Sequence, residues 1–218
     1  MPGRYRVTLV AMRPAAEILV RESTALRLVL DEADPRSFDL PTVCTGWSVR
    51  DVLAHCGAAL TRTASGDLHR FTPADNQRDV DARKSWPVED VIEELYEGYE
   101  AAAAVIDAAA DGRLDGIGIG EWMHGGDVRE ALGAADAYAS PGASLAVDVL
   151  IERSRRLERP AVAVTVDGEA QSFGVDGEPV GRLTTDIETF IRLCGGRRPD
   201  ETRYDLAGVA DTDLLLFS

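Results

Sequence analysis

The chain has three histidines, His55, His69 and His124, and a carboxylate, Glu121, three residues ahead of the last of them. Neutral imidazole is the commonest side-chain metal ligand, and residues three apart share one face of a helix. Glu121 and His124 can therefore face a third ligand, His55, carried by a second helix. Three protein ligands leave one coordination position open for water or substrate, as a catalytic zinc requires. A histidine at the edge of an apolar stripe is equally an ordinary boundary residue, and spacing alone leaves both readings open. His69 falls in a polar stretch and reads as surface.

Other residues carry weaker chemistry. Asp127 is spaced to orient a ligating imidazole, or to cap or pair on the helix surface with neighbours such as Arg129. Arg197 and Arg198, after Gly195-Gly196, offer a bidentate grip for a carboxylate, or are two ordinary surface arginines. Cys44 and Cys56 lie near His55 in sequence, so a thiolate nucleophile is conceivable, although Cys56 reads better as a buried structural thiol. Gly116, Gly118 and Gly120 do not make a dinucleotide fingerprint, because the third glycine at the required offset and a surrounding βαβ unit are both missing.

The elements that must position these residues are mostly helical in the first two-thirds of the chain. Pro14 suits a first helical turn, and Ile18, Leu19, Ala25, Leu26, Val29 and Leu30 follow on one stripe until Asp34-Pro35. Ser48 and Asp51 form a capping box ahead of a helix that turns Val49, Val52, Leu53, Cys56, Ala59 and Leu60 inward, with His55 at the stripe's edge. Residues 64–84 are polar and read as a long loop, the kind of segment that is often functional. Val88, Val91, Ile92, Leu95, Tyr99, Ala102, Val105 and Ile106 give the clearest helix, ended by Asp111-Gly112. Its glutamates Glu89, Glu93, Glu94, Glu97 and Glu100 read as a solvated face. The spacing predicts a fourth helix over about Glu121–Leu132, completing a bundle of the kind that builds metal sites between facing helices.

Ser140-Pro141-Gly142 marks the boundary, dividing the chain into residues 1–140 and 141–218. Beyond it come a helix over Leu145–Leu157, a strand over Ala161–Asp167 turning at Asp167-Gly168, and a return strand over Gln171–Val175. Asp176-Gly177 makes a second turn, Val180–Thr184 a third strand, and Ile187–Cys194 a short helix with a glycine cap at Gly195-Gly196. Leu214–Phe217 is a last strand or a docked tail. The fold class is thus a four-helix bundle followed by a small C-terminal α/β domain.

Composition bounds the partners. Of 218 residues, 23 are Lys or Arg and 38 are Asp or Glu, for a formal charge of −15. So acidic a chain repels phosphate backbones and anionic lipid, which argues against nucleic acid and membranes as partners. Lys84 is the only lysine, an arginine bias that fits a GC-rich bacterial genome. Three cysteines with no CxxC pair point to a reducing cytoplasm. Arg4 and Arg6 precede an apolar stretch, Val7–Met12, too short for a signal sequence.

The stretch Pro41-Thr-Val-Cys44-Thr-Gly-Trp47-Ser48-Val-Arg50-Asp51-Val-Leu-Ala-His55 resembles the second-helix signature of the mycothiol-dependent maleylpyruvate isomerase family, within the DinB-like superfamily. Trp122-Met-His124-Gly-Gly-Asp127-Val-Arg129-Glu-Ala-Leu132 is similar to that family's fourth-helix signature. Phe190-Ile-Arg-Leu-Cys-Gly195-Gly196-Arg197-Arg198-Pro199 is similar to the segment closing its smaller C-terminal domain. The resemblance implies a DinB-like bundle holding a divalent metal, usually zinc, and a C-terminal α/β domain of the isomerase type. His55 and His124 match the family's two histidine ligands. The family's glutamate lies four residues before the second histidine; Gly120 stands there and Glu121 one place later, so Glu121 takes that role or the metal site is lost. Arg197 is the counterpart of a catalytic arginine.

The implied cosubstrate is the small thiol mycothiol, and the implied activity is isomerisation or S-transfer on a small electrophilic, anionic substrate. A mycothiol-dependent enzyme also fits an actinobacterial source, in line with the arginine bias. The alternative is a non-catalytic DinB-like protein that binds a small ligand or a partner at a degenerate metal site. Oligomeric state stays open.

Overall fold

The computed structural model describes residues 12–68 and 71–217. His69 and all of the N-terminal apolar stretch but Met12 lie outside the described residues.

Four long helices make the bundle: α1 (Pro14–Asp31), α2 (Val49–Ser65), α4 (Val88–Ala108) and α5 (Asp115–Ala131). Helix α2 packs chiefly on α4, and α1 packs on α4 and α5. Helix α1 opens on Pro14 at its first turn, and the predicted Ser48–Asp51 capping box closes the start of α2. The inward stripes are those the periodicity predicts: Ile18, Leu19, Leu26 and Leu30 on α1, and Val91, Leu95, Tyr99, Ala102 and Ile106 on α4 are buried. Glu89, Glu93, Glu97 and Glu100 are exposed, and half-buried Glu94 pairs with Arg83.

Two expectations are corrected. The segment 64–84 is not a loop throughout, because α3 (Pro73–Arg83) occupies half of it. Only Asp75 and Val80 of α3 are buried, so no apolar stripe announces it. Its signals are local: Thr72 and Asp75 form a capping box, and Pro73 sits in the first turn. Ion pairs of Arg62 with Asp79 and of Arg83 with Glu94 tie it down.

Helix α5, in turn, begins at Asp115 and not near Glu121. Glycine is a poor helix former, but packing overrides propensity here. A Cβ on Gly118 would lie 2.5 Å from the Ala15 carbonyl oxygen, so only glycine lets α5 approach α1 this closely.

After the turn at Ser140–Gly142 the chain forms α6 (Ala143–Arg156) and a four-stranded sheet in the order β2-β1-β3-β4. Strands β1 (Val162–Val166) and β2 (Glu169–Phe173) are antiparallel, joined at Asp167-Gly168, both with positive φ (49° and 88°). That is a type I′ hairpin turn. Strand β3 (Gly181–Thr185) runs parallel to β1, so Asp176-Gly177 belongs to a crossover between strands that are not neighbours. Helix α7 (Ile187–Gly195) ends at Gly196, with φ 71°.

The four-residue edge strand β4 (Tyr204–Ala207), which no sequence pattern announces, pairs antiparallel with β3. Leu214 closes the short α8 (Asp211–Leu214), and the tail beyond it docks through Leu216 N–H to the Cys194 carbonyl. One apolar core runs from the bundle through α6 to the sheet. Among the described residues no helix is long and apolar enough to cross a membrane.

Candidate metal centre

His55 lies mid-helix on the inward face of α2, in the run Val52–Leu60 that is buried throughout. Its ring stands 5.0 Å from that of Trp47 and 5.0 Å from that of His124, nearly perpendicular to the latter at 86°. Trp47 is fixed in turn by its indole N–H, which donates to Gln77 Oε1 of α3 at 2.9 Å. Helix α3 thus braces the wall behind His55.

Glu121 and His124 share the facing side of α5, one turn apart. All three predicted ligands line one cavity of about 520 Å³, together with Arg197 and the apolar walls Phe71 and Phe217. Gly120, the neighbour of Glu121, lines it too.

Three polar atoms of residues lining this cavity lack a partner: Asn76 Oδ1 of α3 and two that are ligand types, His55 Nδ1 and Glu121 Oε2. All three are buried and have no hydrogen-bond partner among the described residues. Unsatisfied buried polar atoms cost about 1–3 kcal/mol each and call for an explanation, such as an ion. Burial, reinforced by the charges of His124 and Arg62, holds the His55 pKa well below the usual imidazole value, so the ring is neutral, the form that can ligate a metal. Burial pushes the Glu121 carboxyl up to about 6 against the opposing influence of His124, Cys56 and Arg62. A cation beside it would reverse that shift.

The imidazole of His124 is oriented from behind. Its Nδ1 hydrogen-bonds Asp127 Oδ2 at 2.9 Å, which leaves Nε2 for another partner. Burial disfavours its charged form, but the hydrogen bonds to Asp127 and Cys44 win and push its pKa up to about 10.

Asp127 is fully buried and crowded with donors. Its Oδ1 accepts from Tyr138 Oη and from Arg197 Nε at 2.9 Å; its Oδ2 accepts from His124, from Arg197 Nη2, and from Cys44 Sγ at 3.2 Å. Burial would raise its pKa, yet Arg197 and His124 overcome this and hold it far below the carboxylate range.

Among the described residues the one trio whose ligand atoms all lie within 4.8 Å of one another is Cys44, His124 and Asp127. Five donors on a carboxylate with about four lone-pair sites leave Asp127 nothing to offer a cation. Its place is behind the histidine, as in carboxylate–histidine–metal triads. The donors that remain for an ion are His55, Glu121 and the outer nitrogen of His124. They match the His₂-carboxylate set of a catalytic zinc with an open position, and so the residues fit a divalent ion.

Arg197, carried just past α7, makes a two-pronged contact with Asp127 and donates Nη1 to the Gly195 carbonyl at 2.7 Å. Arg198 points elsewhere: it is exposed and pairs with Glu201 at 3.4 Å, outside the cavity lining. Cys56 is buried and lies against Glu121; burial and that carboxylate push its thiol well up, so it is no nucleophile. Arg129 pairs with Glu22 in the core, between α5 and α1.

Residues 19–138 match the family model described as the mycothiol maleylpyruvate isomerase N-terminal domain. The chain belongs to that family. Membership in the mycothiol maleylpyruvate isomerase family places it among enzymes, with a thiol cosubstrate as the family's common partner. The crystal structure of the mycothiol-dependent maleylpyruvate isomerase superposes with a TM-score of 0.63 at 12% identity, covering 92% of this chain and 95% of that one. A mutant of that isomerase with one histidine replaced by alanine gives 0.62 at 11% identity, over the same shares. At such identities the likeness is one of fold, and it extends through the C-terminal region beyond the family match. No curated protein sequence matches the chain.

Two contributors to the centre are not evident from the sequence. Tyr138 reaches Asp127 from the segment after α5, where a Cβ on Gly126 would lie 2.5 Å from its ring. The juxtaposed small and large residues are the only trace of this contact in sequence. Arg153 lines the cavity from α6, but its neighbours Arg155, Arg156 and Arg159 make it look like one more surface cation.

Proposed function

We propose that this chain is a metal-dependent and mycothiol-dependent isomerase or thiol S-transferase acting on a small, electrophilic, anionic substrate. In this reading His55, Glu121 and His124 hold the ion, and their donor types favour zinc. The observation that carries it is the pair of buried, unpartnered donors, His55 Nδ1 and Glu121 Oε2, on different helices around one cavity. When bound, the ion would lower the pKa of the cosubstrate's thiol and keep it as the nucleophilic thiolate.

The chain's own groups do the rest. Asp127 fixes the His124 ring so that its outer nitrogen faces the cavity, and Arg197 and Tyr138 fix Asp127. Phe71, Phe217 and the Trp47–His55 contact limit water around the reacting carbon. Addition of the thiol to an unsaturated carbon conjugated to a carbonyl places negative charge on the carbonyl oxygen. Arg197 has N–H groups beyond those used on Asp127 and Gly195, and it serves as the donor that stabilises this charge. Rotation about the new single bond followed by loss of the thiol gives cis–trans isomerisation, and retention of the thiol gives S-transfer.

The test starts with metal. Protein purified without chelator should contain about one equivalent of zinc or a similar ion, and His55→Ala and His124→Ala should lose it. Substoichiometric metal that neither variant changes would leave a ligand-binding protein with a degenerate site and reject the enzymatic reading. With metal present, Arg197→Ala should slow adduct formation between the thiol and a model electrophile while releasing no metal.

A further inference from the structure

The cavity that holds the candidate ligands is lined by three guanidinium groups, and they differ in how their charge is spent. Arg197 is neutralised by Asp127, and Arg113 faces Asp111 at 3.2 Å. Arg153 has no carboxylate partner among the described residues. Its Nε donates to the Leu216 carbonyl at 3.0 Å, and its guanidinium stacks 4.7 Å from the centre of the Phe217 ring. Both contacts fix the plane of the group without cancelling its charge. Its two Nη groups keep four N–H donors with no protein acceptor among the described residues, in the fork geometry that matches a carboxylate.

The placement of the fork is built into α5. A Cβ on Gly116 would lie 2.4 Å from Arg153 Nη1, so the guanidinium rests directly on the bare helix backbone at that turn. Gly120, one turn further, is also without a side chain and lines the same cavity. A glycine floor therefore runs along α5 from Arg153 towards Glu121 and His124. At 1.5 Å rise per residue, the floor is about 6 Å long, and Glu121 and His124 lie roughly 8 and 12 Å along the axis from Gly116, the span of a short-chain acid. Burial and the neighbouring charges of Arg156 and Arg159 pull the Arg153 pKa down, as expected for a cation that lacks its anion.

We propose that Arg153 is the specificity-determining anchor for a carboxylate of the substrate, holding a small organic acid along the Gly116–Gly120 floor with its reactive carbon towards the His55–Glu121–His124 end. This rests on the functional reading above for the direction in which the acid lies, but the anion site itself needs no metal. It also separates two tasks: Arg153 binds the carboxylate, and Arg197 meets the charge formed during reaction.

Succinate, a saturated dicarboxylate that cannot react with a thiol, is the probe, with neutral succinamide as its control. Calorimetric titration of the full chain at low salt should show succinate binding and no succinamide binding. Arg153→Gln should weaken succinate at least tenfold, and Arg153→Lys should recover part of the loss. Gly116→Ala, which keeps the charge but displaces Nη1, should weaken it less, and a melting curve of each variant shows that it is folded. His55→Ala should leave the Arg153-dependent binding in place, so that a failure of the metal reading does not mimic a failure of this one. The proposal is overturned if wild type does not bind succinate, if a folded Arg153→Gln binds it as wild type does, or if binding disappears with His55→Ala alone.

Discussion

Asp127→Asn is the most informative single change, because one carboxylate serves both the fold and the candidate metal centre. The substitution keeps the shape, removes the charge, and turns an amide N–H₂ towards donors that previously met an oxygen. Asp127 is fully buried, and the Arg197 side chain is only 13% exposed. Breaking a buried pair on one side costs about 3–5 kcal/mol, mostly for the charge left unpaired. For a chain of this size each kcal/mol moves the melting temperature by about 2–4 °C, so the expected drop is roughly 6–20 °C. Calorimetry on chelator-treated protein measures this without any contribution from bound ion. In a parallel competition assay, zinc affinity should fall about 10–100-fold, because His124 loses the acceptor that orients it. Tyr138→Phe is the control: it removes one of five donors and leaves the charge, so its drop should stay well under that of Asp127→Asn. A variant that melts within about 2 °C of wild type would refute the idea that this carboxylate organises the centre.

Packing and burial set further outcomes. Gly118→Ala should destabilise by about 1–3 kcal/mol in urea titration, since its methyl would meet the Ala15 backbone. Gly120→Ala should instead stabilise by about 0.5–1 kcal/mol, because a Cβ there meets only the Phe217 ring at 3.8 Å and the helix gains from replacing glycine. Native protein should react with a maleimide at the half-buried Cys44 only, whereas unfolded protein should react at all three cysteines; burial raises the Cys56 and Cys194 thiols and shields them. Chelation should lower the melting temperature of wild type and leave that of His55→Ala unchanged, the loss being about 2.7 kcal/mol for an ion present at a hundred times its dissociation constant.

The sequence made some of this legible and hid the rest for physical reasons. Val91, Leu95, Tyr99 and Ile106 announce their helix because burial selects apolar residues at the helical period, and Ser48 with Asp51 announces a helix start because a cap needs those atoms. Helix α3 escapes the first signal, since its stability comes from ends and ion pairs and not from a stripe. The start of α5 is hidden because its glycines there, Gly116 and Gly118, answer to Arg153 and Ala15, contacts distant in sequence that no local pattern encodes. His55, Glu121, His124 and Arg197 can be singled out by type and by resemblance, and the fold brings all four to one cavity. Arg153 cannot, because its unpaired charge appears only once Asp111, Asp115 and Asp127 are seen to be taken by other cations.

The cavity draws its walls from both halves of the chain: His55, Glu121 and His124 from the bundle, and Arg153, Arg197 and Phe217 from the C-terminal region. The two halves therefore inherit different jobs. In the proposed function the first would prepare a thiol, a task that does not change from one electrophile to the next. The second carries Arg153, Arg197 and Phe217, which in the same reading meet the electrophile. Exchanging residues 141–218 between related chains is then a route to new substrate preference with the thiol chemistry retained, whereas a bundle expressed alone would keep the ligands and lose the means to choose among acids.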